Sequence, residues 1–104
     1  MNEDSIRFRV AKSKVTLVGQ GASAFPIRAQ ILLRGDDDEK AKVNFYRPGQ
    51  AFPDDQMREG VLYISLPEDQ LAAVLLVLRA DEPVYVGYHN GHGVVSTIGE
   101  EVGV

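Results

Sequence analysis

The sequence predicts an α+β domain: a mostly antiparallel β sheet, or a partly open barrel, of about seven strands, with one apolar helix packed across it. Three observations carry that expectation. Ile6-Arg7-Phe8-Arg9-Val10 alternates apolar and basic residues, the period-two mark of a strand with one buried face. Leu71, Val74, Leu75 and Leu78 recur at the three-and-four spacing of a single helix stripe. Asn90-Gly91 stands between two β-rich runs, a strong hairpin signal because a type I′ turn needs positive φ at both central positions.

Taken in order, the first strand covers residues 6–10. Ala11-Lys12-Ser13 reads as a turn, and residues 14–18, β-branched at Val15, Thr16 and Val18, read as its return strand. Residues 19–23 (Gly-Gln-Gly-Ala-Ser) form a loop. A third strand follows at residues 25–34, with Ile27, Ala29, Ile31 and Leu33 on one face and Arg28, Gln30 and Arg34 on the other. Pro26 suits its beginning, where a missing N–H is tolerated. Residues 35–39 are a charged turn before a fourth strand at residues 41–46. The segment 47–60, with Pro48, Gly49 and Pro53, is the longest irregular stretch. Val61-Leu62-Tyr63-Ile64 is apolar on both faces and reads as a central strand. Ser65-Leu66-Pro67-Glu68 has the form of a capping box, with Ser at the N-cap, Pro in the first turn and Glu three residues on. Glu68 and Asp69 suit the positive end of the helix dipole and Arg79 the negative end. Asp81-Glu82-Pro83 closes the helix, since the residue before a proline avoids the α region. Residues 84–89 and 92–98 complete the chain as a hairpin pairing Tyr88 with Gly93, Val86 with Val95 and Val84 with Thr97.

A length of 104 residues suits a single domain spanning 1–104, and 44% apolar with 25% charged residues is a globular composition rather than a disordered one. With no cysteine, the chain holds no disulfide framework, Cys-ligated zinc or thiol nucleophile. Its first five residues are acidic rather than basic and apolar, so no secretory signal is read there and the expected compartment is the cytoplasm. The longest apolar run, from Leu71 to Leu78, falls far short of the ~20 residues needed to span a bilayer, so no membrane partner is expected. The net charge of −4 disfavours non-specific binding to nucleic acid by the molecule as a whole. The charge is segregated, however. Residues 5–34 contain no Asp or Glu but carry Arg7, Arg9, Lys12, Lys14, Arg28 and Arg34, whereas from Val61 onward Arg79 is the only Lys or Arg.

Five constellations bear on function. His89 and His92, the only histidines, face each other across the two-residue turn with Cβ atoms about 5 Å apart. That is a metal or small-ligand candidate, although a zinc site normally needs a third protein ligand and the sequence identifies none. The Gly19-Gln20-Gly21 stretch precedes a strand and not the helix N-terminus that a phosphate cradle uses. Asp36-Asp37-Asp38-Glu39 lacks the spaced ligands and central Gly of a calcium loop and reads as a solvated turn. No residue is assigned a catalytic or metal-ligand role, and no cofactor is implied.

The two remaining signals are surfaces. Arg7, Arg9, Arg28 and Arg34 line one basic sheet face if their two strands are neighbours, a polyanion or nucleic-acid candidate. Base binding also needs aromatic rings among the cations, and Phe8 alternates with the arginines onto the core side. The helix carries Ala72, Ala73, Leu76, Val77 and Ala80 behind its core stripe and is apolar almost all round, as helices buried on two sides are. That second side predicts cover by the 47–60 segment, with Phe52 and Met57, or by another protein. The leading expectation is therefore a non-catalytic binding or assembly module acting through protein–protein contacts at Ala72, Ala73, Leu76 and Val77, including as a homodimer. Polyanion binding at the arginines is the alternative, and ligand binding at His89 and His92 the third.

Overall fold

A computed structural model of the chain describes residues 6–19, 25–80 and 82–97. Its elements are β1 (Ile6–Arg9), β2 (Lys12–Leu17), β3 (Ile27–Arg34), β4 (Lys40–Tyr46), β5 (Gln56–Arg58), β6 (Val61–Pro67), a 3₁₀ turn (Glu68–Gln70), α1 (Leu71–Arg79), β7 (Tyr85–His89) and β8 (His92–Ser96). The α+β class and the single helix are as expected. The strand count and the strand order are not. Among the described residues, eight strands form two sheets that do not close into a barrel, one ordered β1-β7-β8 and the other β2-β3-β4-β6-β5.

The first correction lies at residues 11–13. In place of a turn, the chain runs on from one sheet into the other. Val10 N–H donates to the Val84 carbonyl (2.8 Å) and Ala11 N–H to the Arg34 carbonyl (2.7 Å). β1 therefore pairs antiparallel with β7 and β2 with β3, and β1 and β2 do not form a hairpin with each other. A strand that changes sheets in this way makes a corner between them.

The second correction is β5, which lies inside the predicted irregular stretch. β4 and β6 pair in parallel, so the chain must cross over between them. Residues 47–55 make that crossing, and β5 returns antiparallel along the outer edge of β6 through a turn with Glu59 at φ 54° and Gly60 at φ 80°. β6 thereby sits between two neighbours, as its apolar pattern predicts.

The third correction is the helix start. Ser65, Leu66 and Pro67 continue the parallel ladder against Asn44, Phe45 and Tyr46. Pro67 is extended (φ −69°, ψ 155°) and provides no side-chain cap. The Ser65–Glu68 capping box is not made, because strand pairing holds Ser65 in the sheet. At the other end, the helix stops at Arg79 with Ala80 extended (ψ 149°), ahead of the predicted stop. Asp81, residues 20–23 of the predicted loop and Ile98 of the predicted last strand lie outside the described residues. The final hairpin forms in the register read, over Tyr85–His89 and His92–Ser96, and the expected Val84–Thr97 pair is not part of its ladder. Asn90 and Gly91 have φ 54° and 83°, with Tyr88 opposite Gly93, Val86 opposite Val95 and His89 opposite His92.

One hydrophobic cluster joins the inner faces of both sheets. Phe8 and Val86 come from the three-stranded sheet. Ala29, Ile31, Leu33, Ala41, Val43, Phe45, Leu62 and Ile64 come from the five-stranded one, and Val74 from the helix, with Leu71, Leu75 and Leu78 packed alongside. Side chains the size of Phe45, Ile31 and Leu33, fully buried here, each contribute about 1.5–3 kcal/mol by leaving water. Asp55, at the end of the crossover, ties the sheets together. Its carboxylate accepts from Ser65 N–H of β6 (2.8 Å) and from Gly93 N–H of β8 (2.8 Å). The consequence for function is that the five-stranded sheet has one face on the core and the other turned away from it.

Candidate functional site

The strand registers arrange that outward face in transverse rows. Lys12 lies beside Arg34, Arg34 beside Lys40, Lys40 beside Val61 and Val61 beside Arg58. The next row reads Lys14, Leu32, Lys42, Tyr63, Gln56, and the third Thr16, Gln30, Asn44, Ser65. Adjacent strands stand about 4.8 Å apart, and rows two residues apart are separated by about 6.8 Å. Six cations thus occupy two neighbouring rows, and the third row is neutral and polar. None of the five strands contains an Asp or Glu.

The acids flanking the two basic rows sit in turns at the rim, Asp36, Asp37, Asp38 and Glu39 between β3 and β4 and Glu59 between β5 and β6, while the Asp55 carboxylate lies against the third row, 2.8 Å from Ser65 N. Among the described residues one ion pair forms on this face, Arg34 with Asp38 at 2.9 Å, both side chains exposed. Like charges placed directly opposite on a sheet repel, and Lys12, Arg34 and Lys40 are three in succession. Tyr63 supplies the aromatic surface. The Arg58 guanidinium lies 4.4 Å from its ring centroid and the Lys42 ammonium 5.7 Å. In the third row Gln30 Nε2 donates to Asn44 Oδ1 at 2.8 Å. Beyond it, Phe52 of the crossover stacks on Tyr46 with centroids 5.1 Å apart.

Comparison with models of known families, with curated proteins and with solved structures finds no match.

The arginines expected to share one face do not come together. β1 and β3 belong to different sheets. Phe8 of β1 is buried in the common core, so Arg7 and Arg9 point outward from the three-stranded sheet, with Arg7 5.6 Å over the Tyr85 ring. Arg28 sits at a register irregularity of β3, and its guanidinium donates to the Val18 carbonyl. Of the four, Arg34 alone stands in the basic rows. Lys12, Lys14, Lys40, Lys42, Arg58 and Tyr63 were missed. Their signal was present as i, i+2 repeats, Lys12 with Lys14 and Lys40 with Lys42, but reading 11–13 as a turn and 47–60 as a loop hid the strands that align them. Arg9 and Lys12 also line an open hollow of about 430 Å³ at the corner where β1 passes into β2, closed from the other side by Leu78, Ala80 and Glu82.

The helix residues are placed as their spacing predicts. Val74 is buried, while Ala72, Ala73 and Leu76 are exposed and Val77 is partly buried. Leu76 is 70% exposed, and Phe52 is engaged with Tyr46, so the 47–60 segment does not cover Leu76. His89 and His92 are opposite each other and exposed. No group of three His, Asp or Glu side chains among the described residues is placed to hold a metal ion, and no helix among them is long and apolar enough to cross a membrane.

Proposed function

We propose that this protein is a binding module for polyanions, acting through the outward face of the five-stranded sheet, with the cytoplasm as its compartment. The supporting observation is the pair of rows Lys12-Arg34-Lys40-Arg58 and Lys14-Lys42 on strands that contain no acid. Such a face produces a local positive potential on a molecule of net charge −4, and potential of this kind steers anions to one side of a protein. The like-charge repulsion within the first row falls when an anion binds across it. Titration of labelled single-stranded DNA and of heparin by fluorescence anisotropy tests the reading. Binding is expected at low salt, with log Kd rising linearly with log salt. At about 0.7 per contacted phosphate, six engaged cations give a slope approaching about 4. Absence of binding to both ligands at low salt overturns it.

A second reading rests on Leu76, which is 70% exposed with Ala72 and Ala73 exposed beside it on the helix. In that reading the helix is a protein–protein surface, serving self-association or a partner. Light scattering across a concentration series, on the wild type and on Leu76→Lys, tests self-association. A dimer that the substitution splits into folded monomers supports it, and a wild type that is monomeric throughout removes it.

A further inference from the structure

We propose that the polyanion is a single-stranded nucleic acid and that one of its bases stacks on the Arg58–Tyr63 pair. This rests on the polyanion reading and specifies its ligand. A surface that recognises charge alone needs only the cations. Here the sheet changes character from row to row: strongly basic in the first, basic with one aromatic ring in the second, neutral with hydrogen-bonding groups in the third. A nucleotide is graded in the same sense, with phosphate at one end, a flat π-face beyond it and amide-like edges on the base. Phosphates along Lys12, Arg34 and Lys40 would leave a base over the second row. There Tyr63 is partly exposed and Arg58 exposed, the guanidinium 4.4 Å from the ring centroid. Bases stack on both aromatic rings and guanidinium planes. Lys42, 5.7 Å from the same centroid, flanks the ring with a further charge. In row three Asn44 and Ser65 are buried, and Gln30, held by its 2.8 Å hydrogen bond to Asn44, is the partly exposed amide at that end of the face. A duplex keeps its bases inside the stack and presents this flat face with phosphates only, so a single strand is the form that uses both rows.

The test compares an oligothymidylate, an abasic oligomer of the same length, a DNA duplex and inorganic polyphosphate at one low salt concentration, by anisotropy or competition. The oligothymidylate is expected to bind at least about tenfold more tightly than the abasic strand, which has the same phosphates, since a stacked base adds roughly that much. Tyr63→Leu should erase that advantage, Tyr63→Phe should keep it, and Lys14→Gln should weaken both strands alike. With four tyrosines and no tryptophan in the chain, tyrosine emission of the wild type gives a readout that needs no variant: quenching by the oligothymidylate and none by the abasic strand. Equal affinity for the two strands without selective quenching, or tighter binding to the duplex, overturns the stacking site and leaves the polyanion reading standing. Failure of all four ligands to bind overturns both.

Discussion

Gly93 and Asp55 decide how closely the two sheets approach, and each does so through a few atoms. A Cβ built on Gly93 would lie 2.4 Å from Ile64 Cγ1 and 2.7 Å from Cδ1. Ile64 is almost wholly buried and has little room to yield. Gly93→Ala should therefore push β8 away from β6 and cost about 1–3 kcal/mol, the usual range for overpacking. A thermal melt reads this directly, and an unchanged melting temperature would mean that β8 does not lie so close to Ile64. Asp55 acts from the other side of the same contact. Asp55→Ala leaves Ser65 N–H and Gly93 N–H without their carboxylate. Hydrogen bonds to a charged group contribute about 1.5–3 kcal/mol each, so a loss of about 3 kcal/mol is expected in a denaturant titration. Asp55→Asn, which keeps one acceptor oxygen, should lose less.

At the scale of elements, what could be read from the sequence separates by the range of the interaction responsible. Patterns settled locally came through. The Asn90-Gly91 turn has both φ values positive, and Gly91→Val should lower stability by about 1 kcal/mol or more through strain at its φ of 83°, checked by the shift in denaturation midpoint. The helix stripe is equally local, and Val74, Leu71, Leu75 and Leu78 all join the core. Features that depend on remote partners were lost. Ser65 and Glu68 have the identities of a capping box, yet a ladder with β4 outcompetes it, and nothing near Ser65 in sequence announces Asn44 as a partner. Gln56-Met57-Arg58 is too short and too polar to stand out from a loop. It becomes a strand because β6 offers an edge to it, with Met57 opposite Leu62. The basic face suffered from the same blindness. Alternation identified outward-pointing arginines on two strands correctly, but which strands are neighbours is a property of the whole sheet.

Across the whole molecule, charge and stability pull against each other. Lys40 stands beside Arg34, which stands beside Lys12, and opposed like charges cost roughly 0.2–1 kcal/mol per pair. Lys40→Gln should raise stability by a few tenths of a kcal/mol while weakening polyanion binding several-fold, the trade expected where a surface is kept for function rather than for fold. Paired melts and anisotropy titrations on that variant measure both effects. A variant with lower stability and full binding would show that the row is ordinary surface.

The passage of one strand segment from sheet to sheet also sets an order of events in time. Every member of the five-stranded sheet lies between Lys12 and Pro67, so during synthesis that sheet has all its strands before the helix is made. Phe8 must wait for Val86, and neighbouring strands joined across so long a separation are slow to find each other because the intervening loop has to close first. The growing chain thus passes through a stage in which the inner face of the large sheet, with Ile31, Val43, Phe45 and Leu62, is assembled but has nothing to cover it. Helix and hairpin arrive afterwards as a lid, and β1, translated first, is among the last strands to dock. A nascent chain halted after β6 should accordingly be sticky toward chaperones, and one halted after β8 should not.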